Sequence, residues 1–363
     1  MLVLAGCASP GPADRSALHR DLRGRGLDPA SVVIPFEVTG EMRAWVRQQV
    51  PETGSMEERL EKLLAALVSG DGLGLAYEGG RTGTAPDAFA TRKANCLGFT
   101  SLFVGLAREV GLPAFYLDVD DVERFEREGD LLVISGHVSA AFDVGGGRVK
   151  VLEFTDAPRP EYRRIRRLPD LTAVALYHSN VGAELLRAGR SPEALSWLRK
   201  ATVIDPGLGD GWVNLGVALR RGGDLEGAEK AYRHALEVDP EAASAYQNLA
   251  ALLRFRGRAA EADSLMALAT RANAQSPFSY LALGDLSLAN GRQEEARRFY
   301  RKALRLGHDD PEPYAALGLV ALAGGDRGEA RKWLRKATAL GRDNQRVRRL
   351  AGELGGARGE GKG

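Results

Sequence analysis

The chain has 363 residues, enough for two ordinary domains that each bury a core. Its 50 lysines and arginines nearly balance 48 aspartates and glutamates, so bulk charge makes no case for nucleic acid as a partner. Two cysteines in unrelated contexts form no disulfide framework, no Cys/His grouping has zinc spacing, and no apolar run is long enough to cross a membrane. No metal and no other cofactor is expected.

Residues 1–30 read as a leader and tether. Cys7 ends the run Leu4-Ala5-Gly6-Cys7, and the small, Pro/Gly-containing stretch from Ala8 to Ser16 suits a flexible linker. The run resembles the lipobox of bacterial lipoproteins. That resemblance implies a lipid on the Cys7 sulfur and a protein held on a bacterial envelope membrane without spanning it. With Ala8 after the cysteine, it also implies the outer membrane, with the protein facing the periplasm. Only six residues, none basic, precede Cys7. A signal needs an apolar region of about 7–15 residues, so a start upstream is expected.

Residues 31–170 are not repetitive. Apolar spacing predicts helices over Thr39 to Val50 and Met56 to Val68, the second with Leu60, Leu63, Leu64 and Leu67 on one stripe. A glycine-rich passage from Gly70 to Gly83 leads to a short helix around Pro86 to Arg92. The next helix runs from Asn95 to Val110, and Gly111 and Pro113 stop it. Strands follow at Ala114 to Val119, Leu131 to Ser135, His137 to Val144 and Val149 to Phe154. Gly145-Gly146-Gly147 makes a hairpin of the last two. The run Tyr162-Arg163-Arg164-Ile165-Arg166-Arg167 reads as solvated charge, or as charge paired with nearby acids.

Cys96 stands at a helix start, upstream of His137, the only histidine in this segment. The order of features is a cysteine at a helix start, a closing Gly-Leu-Pro, strands, and a histidine opening a strand. It resembles the transglutaminase-like superfamily of papain-related cysteine enzymes. Asn95-Cys96-Leu97 through Gly111-Leu112-Pro113-Ala114 carries the cysteine motif, and Gly136-His137-Val138 the histidine motif. The resemblance implies an α+β fold and amide chemistry. A helix N-terminus and a neighbouring imidazolium favour the thiolate. The thiolate attacks a carbonyl, and His137 protonates the departing amine. Water as the second acceptor gives hydrolysis, and an amine gives a crosslink. The superfamily's orienting acid falls at Glu153, which shares a sheet face with His137 if Val144 pairs with Arg148; Asp156 is the alternative. Oxyanion donors would come from the Cys96 backbone, with Asn95 or Tyr77 adding one.

Across residues 171–343 the sequence repeats through five units, with a period of about 34 residues. Small residues recur at Gly182, Gly216, Ala250, Gly284 and Gly318, and turn glycines at Gly189, Gly223, Gly257, Gly291 and Gly325. Alanines return from Ala194 to Ala330 and from Ala201 to Ala337 at the same period. The pattern resembles the tetratricopeptide repeat, which Trp212-Val213-Asn214-Leu215-Gly216 and Asp239-Pro240 match closely. It implies stacked antiparallel helix pairs with a concave face that takes a protein or peptide. Asn180, Asn214 and Asn248 stand at equivalent positions, with Arg187, Arg220, Arg221 and Arg254 further along. They read either as a peptide-binding ladder or as ordinary repeat residues beside solvated charge. Residues 344–363 read as a capping helix and a frayed tail.

The expected protein is therefore an α+β papain-like head followed by an all-α solenoid. Functionally it is a lipid-anchored envelope protein with cysteine hydrolase or acyltransferase chemistry and a partner-binding array. The competing expectation is a non-catalytic adaptor with a degenerate head.

Overall fold

The computed structural model describes residues 15–119, 124–128, 131–135, 138–143, 149–152, 154, 165–272, 277–289, 291–342 and 344–356. They divide into two compact units, Met1–Val238 and Asp239–Gly363.

The first unit opens with helix α1 (Arg15–Gly24), inside the stretch read from sequence as leader and tether. Leu18 and Leu22, one helical turn apart, are buried and draw it onto the core. Helices α2 (Gly40–Gln49) and α3 (Met56–Val68) follow as the spacing predicts, each started by a side-chain cap, Thr39 and Ser55. Two-residue strands β1 (Ala76–Tyr77) and β2 (Lys93–Ala94) pair in parallel around α4 (Ala85–Thr91). Helix α5 (Cys96–Glu109) is the buried spine of the unit: every residue from Leu97 to Arg108 is buried.

The strands are β3 (Ala114–Val119), β4 (Arg124–Glu128), β5 (Leu131–Ser135), β6 (Val138–Asp143), β7 (Val149–Leu152) and β8 (Ile165–Leu168). Four of them form an antiparallel sheet in the order β7-β6-β3-β8, and β4 pairs with β5 as a separate ribbon. Strand alternation sorts the sheet's faces. Val138, Ala140, Phe142 and Tyr116 join the core that holds α5, whereas Phe115, Leu117 and Ala141 form a cluster of their own. The β6–β7 pairs, Ala140 with Leu152 through Asp143 with Val149, keep the register that a Val144–Arg148 closure gives. Strand β8 was not expected. It falls in the arginine run, where Arg166 pairs with Asp118 at 2.7 Å and Arg167 lies over the Phe115 ring, 4.3 Å from its centroid. Charge on an edge strand hides the pattern that would have marked it.

Helices α6 (Asp170–Arg187), α7 (Ser191–Ile204), α8 (Gly209–Arg221) and α9 (Leu225–Val238) complete this unit as two helix pairs. The first pair is not separate from the head. One continuous core runs from Leu18 to Ile204 and includes Ala173, Val174, Leu176 and Tyr177 of α6. Arg108, 6% exposed, pins the junction: its guanidinium makes two bonds to Asp170, at 2.7 and 2.8 Å, and donates to the Ala114 carbonyl at 3.0 Å.

The second unit holds α10 (Ala243–Phe255), α11 (Ala259–Ala272), α12 (Pro277–Ala289), α13 (Gln293–Leu306), α14 (Pro311–Ala323), α15 (Arg327–Leu340) and α16 (Gln345–Gly356). They form three helix pairs and a closing helix, whose Leu350 and Leu354 are buried. The small residue of each repeat marks the crossing of two helices. A Cβ on Gly284 would stand 2.3 Å from the Tyr300 ring, and one on Gly216 in the first unit 2.4 Å from Tyr232. The turn glycines all take the left-handed conformation, with φ between 71° and 85°, which lets each pair reverse direction.

Candidate functional site

Two groups of side chains bear on function: those around Cys96 and those on the first helices of the repeats. Cys96 is the first residue of α5 and is half-buried, with a free thiol. The helix starts there because Asn95 caps it. Its Oδ1 accepts from the Gly98 N–H at 2.8 Å, and its Nδ2 donates to Thr82 Oγ1 at 3.0 Å. Both ends of the Asn95 amide are thus engaged, which makes it a cap before it is an oxyanion donor. Tyr77 is 43% exposed and sits on β1 opposite Ala94, two residues before the cysteine. An aromatic row runs inward from it. Tyr77 lies 6.3 Å from Phe154, which stacks on Phe99 of α5 at 4.1 Å, and Phe99 stacks on Phe103 at 6.3 Å. His137, Glu153, Asp156 and Cys7 lie outside the described residues. Their sequence neighbours Val138 and Phe154 are described, and both meet α5: Thr100 Oγ1 donates to the Val138 carbonyl at 3.4 Å, and Phe154 makes the ring stack.

Residues that sequence reading did not single out tie this region to the first repeat. Thr82 is buried, and its backbone N–H donates to Glu184 Oε1 of α6 at 2.6 Å. Burial raises the Glu184 carboxyl above its ordinary value, and the Thr82 bonds partly offset that. His178 of α6 is 1% exposed and sits 3.2 Å from the Val33 carbonyl through Nε2, with its ring 4.9 Å from Trp197. Its Nδ1 has no partner among the described residues. Burial pushes its pKa down to about 4. No sequence signal marks these contacts, because the partners lie 102 and 145 residues apart.

The proposed amide ladder is buried. Asn180 is 8% exposed and Asn214 and Asn248 are fully enclosed. Asn214 Nδ2 donates to Ser179 Oγ on the preceding first helix at 3.2 Å, so the amide joins α8 to α6. Arg221 Nη1 closes the end of α6 on the Leu186 carbonyl at 2.5 Å. Arg187, Arg220 and Arg254 are half-buried, and Arg254 pairs with Asp263 of α11. The six residues do not form one site within either unit: Asn180, Arg187, Asn214 and Arg220 belong to the first, Asn248 and Arg254 to the second. In the first unit, moreover, the backbone of β5 runs within contact range of both α6 and α8. In the second, α10 ends on Phe255, which is 70% exposed.

Comparison with known proteins agrees with the repeat architecture. Residues 175–200, 209–242, 277–320 and 311–336 match tetratricopeptide-repeat family models. The chain carries tetratricopeptide repeats. Among solved structures, it is similar to TTC0263, a thermophilic TPR protein of Thermus thermophilus, at 22% identity and a TM-score of 0.43, over 50% of this chain and 98% of that one. It is also similar to Pseudomonas aeruginosa pilF at 24% identity and a TM-score of 0.39, over 51% and 84%. A third likeness is to YrrB, a TPR protein with an unusual peptide-binding site, at 16% identity and a TM-score of 0.32, over 49% and 91%. No curated protein sequence matches the chain.

Proposed function

We propose that the chain is a scaffold whose repeats hold a protein or peptide partner, and that the second unit supplies the binding face. Stacked helix-pair repeats present their first helices to extended ligands. In the first unit those helices already have an intramolecular neighbour in β5. The observation that carries the proposal is on α10, where Phe255 is the most exposed large apolar side chain among the described residues and adjoins the half-buried Arg254. Aromatic rings are enriched among the side chains that dominate binding energy, and because the Arg254 guanidinium is already paired with Asp263, the ring is the anchor. A peptide library panned against the full chain tests this. Enriched peptides should lose roughly ten-fold or more in affinity to Phe255→Ala, and less to Arg254→Ala, by fluorescence anisotropy. Binding that ignores both substitutions sinks the assignment.

A second reading concerns the head: cysteine-dependent amide hydrolysis or transfer of the transglutaminase-like kind. Cys96 at a capped helix start supports it, as does the Thr100–Val138 bond that joins the turn after the cysteine to the strand following His137. The reading requires the chain to leave the alternation of β6 just before Val138, because the even positions are those that face α5. Alkylation tests it: Cys96 should react with iodoacetamide near neutral pH, and His137→Ala should slow the reaction at least ten-fold. Equal rates in the two proteins remove the enzyme. The run ending in Cys7 supports lipid attachment and residence in a bacterial envelope; fatty-acid labelling that persists in Cys7→Ser counts against it.

A further inference from the structure

The second helices of the last two repeats carry the same basic word at the same register. Helix α13 has Arg297-Arg298-Phe299-Tyr300-Arg301-Lys302, and α15 has Arg331-Lys332-Trp333-Leu334-Arg335-Lys336, one repeat further on. The two helices are joined by an ion pair between Arg297 Nη1 and Glu329 Oε2 at 2.9 Å, so their basic stripes lie side by side. Ala296, Tyr300 and Ala303 mark the buried face of α13, and Ala330 and Ala337 that of α15. At 100° per residue, Arg298, Arg301 and Arg305 stand about 140–200° round the helix from that face, as do Lys332 and Arg335 on α15. All five are exposed, as is Arg331. None of the six side chains makes a hydrogen bond or ion pair with any described residue.

The equivalent helix of the second repeat shows what is unusual. There, acids stand among the bases: Lys230 pairs with Glu226 at 2.7 Å, Arg233 with Glu229 at 2.8 Å, and His234 with Glu237 at 3.0 Å. In α13 and α15 the positions four residues before Arg305 and Arg335 are themselves basic, and the charges stay open. Uncompensated like charges on one face are mutually unfavourable, and a negative partner relieves them.

We propose that this face binds an anionic phospholipid surface. The aromatic residues of the two words are not offered to a ligand. Tyr300 is buried and donates to Asp285, Phe299 stacks on Tyr280 beneath Lys302, and Trp333 donates to Glu329 beneath Lys336. A single-stranded nucleic acid would find no stacking platform here. On α13 and α15 a protein partner would find, among the described residues, no exposed large apolar anchor beyond Leu340 at the end of α15. A lipid surface needs neither, since it takes cations from one side of a protein without directional bonds.

Vesicle co-sedimentation tests this with the full chain carrying Cys7→Ser, so that no acyl group contributes. The protein should pellet with vesicles of phosphatidylcholine mixed with phosphatidylglycerol, and not with phosphatidylcholine alone, and added salt should release it. Each basic residue neutralised should lower partitioning roughly five-fold, and each one reversed by more. The set Arg298→Glu, Arg301→Glu, Lys332→Glu and Arg335→Glu should therefore abolish it, while Lys230→Glu with Arg233→Glu on α9 should not. If reversal perturbs folding by circular dichroism, the same four positions changed to Gln answer the same question. Equal binding to both vesicle types, or anionic binding that survives the four substitutions, overturns the proposal. So does a chain that takes up poly-glutamate or a single-stranded oligonucleotide through these residues while ignoring anionic vesicles.

Discussion

The two units use one repeat motif in different ways. In the first, α6 and α7 belong to a core that begins at Leu18, and contacts join residues more than 100 positions apart, as Thr82 does with Glu184 and Val33 with His178. In the second, the described clusters are local: Leu319, Ala330 and Leu350 form one, and Ala315, Ala337 and Val347 another. A repeat that packs on a head gives up its face and gains long-range cooperativity. A repeat that packs on its like keeps the face, and its stability is roughly a sum over neighbours. Substitutions should therefore act widely in the first unit and locally in the second.

Arg108→Ala should have the largest effect. It would leave Asp170, a third exposed, without its guanidinium partner and strip the Ala114 carbonyl of its donor, a loss of about 3 kcal/mol. Urea unfolding followed by hydrogen exchange should show protection lost from α1 through α7 together. Loss confined to α5 and α6 would mean that the shared core is less cooperative than its contacts imply.

His178 comes next. Its folded pKa of about 4 lies below the ordinary 6.5 of an unfolded histidine, so the unfolded chain binds the proton first as pH falls. The stability this residue contributes is whole above pH 6.5 and declines as pH drops towards 4, by about 3 kcal/mol at most. Glu184, raised by burial, works in the opposite direction, so the comparison must be with His178→Gln. Denaturation midpoints of the two proteins should diverge between pH 7 and pH 5, with wild type falling faster. Parallel curves would show that the ring is free to leave Val33.

These contacts also mark how far the sequence could be read. The repeats were legible because glycine, alanine and aromatic positions return at a fixed period, and α5 because an asparagine cap and a Gly-Leu-Pro stop bracket an apolar run. Helix α1 was hidden by a short core stripe, two leucines among polar residues. The asparagine ladder was legible as a pattern but not as a role, since nothing near Asn214 in sequence says that Ser179 satisfies it. Distance along the chain, rather than residue type, sets that limit.

Gly216→Ala and Gly284→Ala sharpen the comparison with one chemistry at one register. In each, a new methyl would press on a tyrosine ring, and overpacking of this kind costs about 1–3 kcal/mol. Similar losses are expected by thermal melting. The difference should lie in reach, with hydrogen exchange rising across the core around α6 for Gly216→Ala and only in α12 to α15 for Gly284→Ala.

The smallest effects should come from the helix caps. Thr84 starts α4 by accepting from the Asp87 N–H, and Asp326 starts α15 by accepting from the Glu329 N–H. Removing either oxygen leaves one orphan donor, and alanine at such a site costs about 1 kcal/mol. Thr84 also donates to Asp87 Oδ2 at 2.8 Å, close to the Gly83 turn that leads into Thr82. Its loss should loosen the Thr82–Glu184 bond as well as α4. Asp326→Ala, with only α15 to unsettle, should raise exchange at the Arg327 to Glu329 amides and nowhere else. If the two caps prove equally local, the head holds its first repeat through its apolar core and Arg108 rather than through the loop before α4.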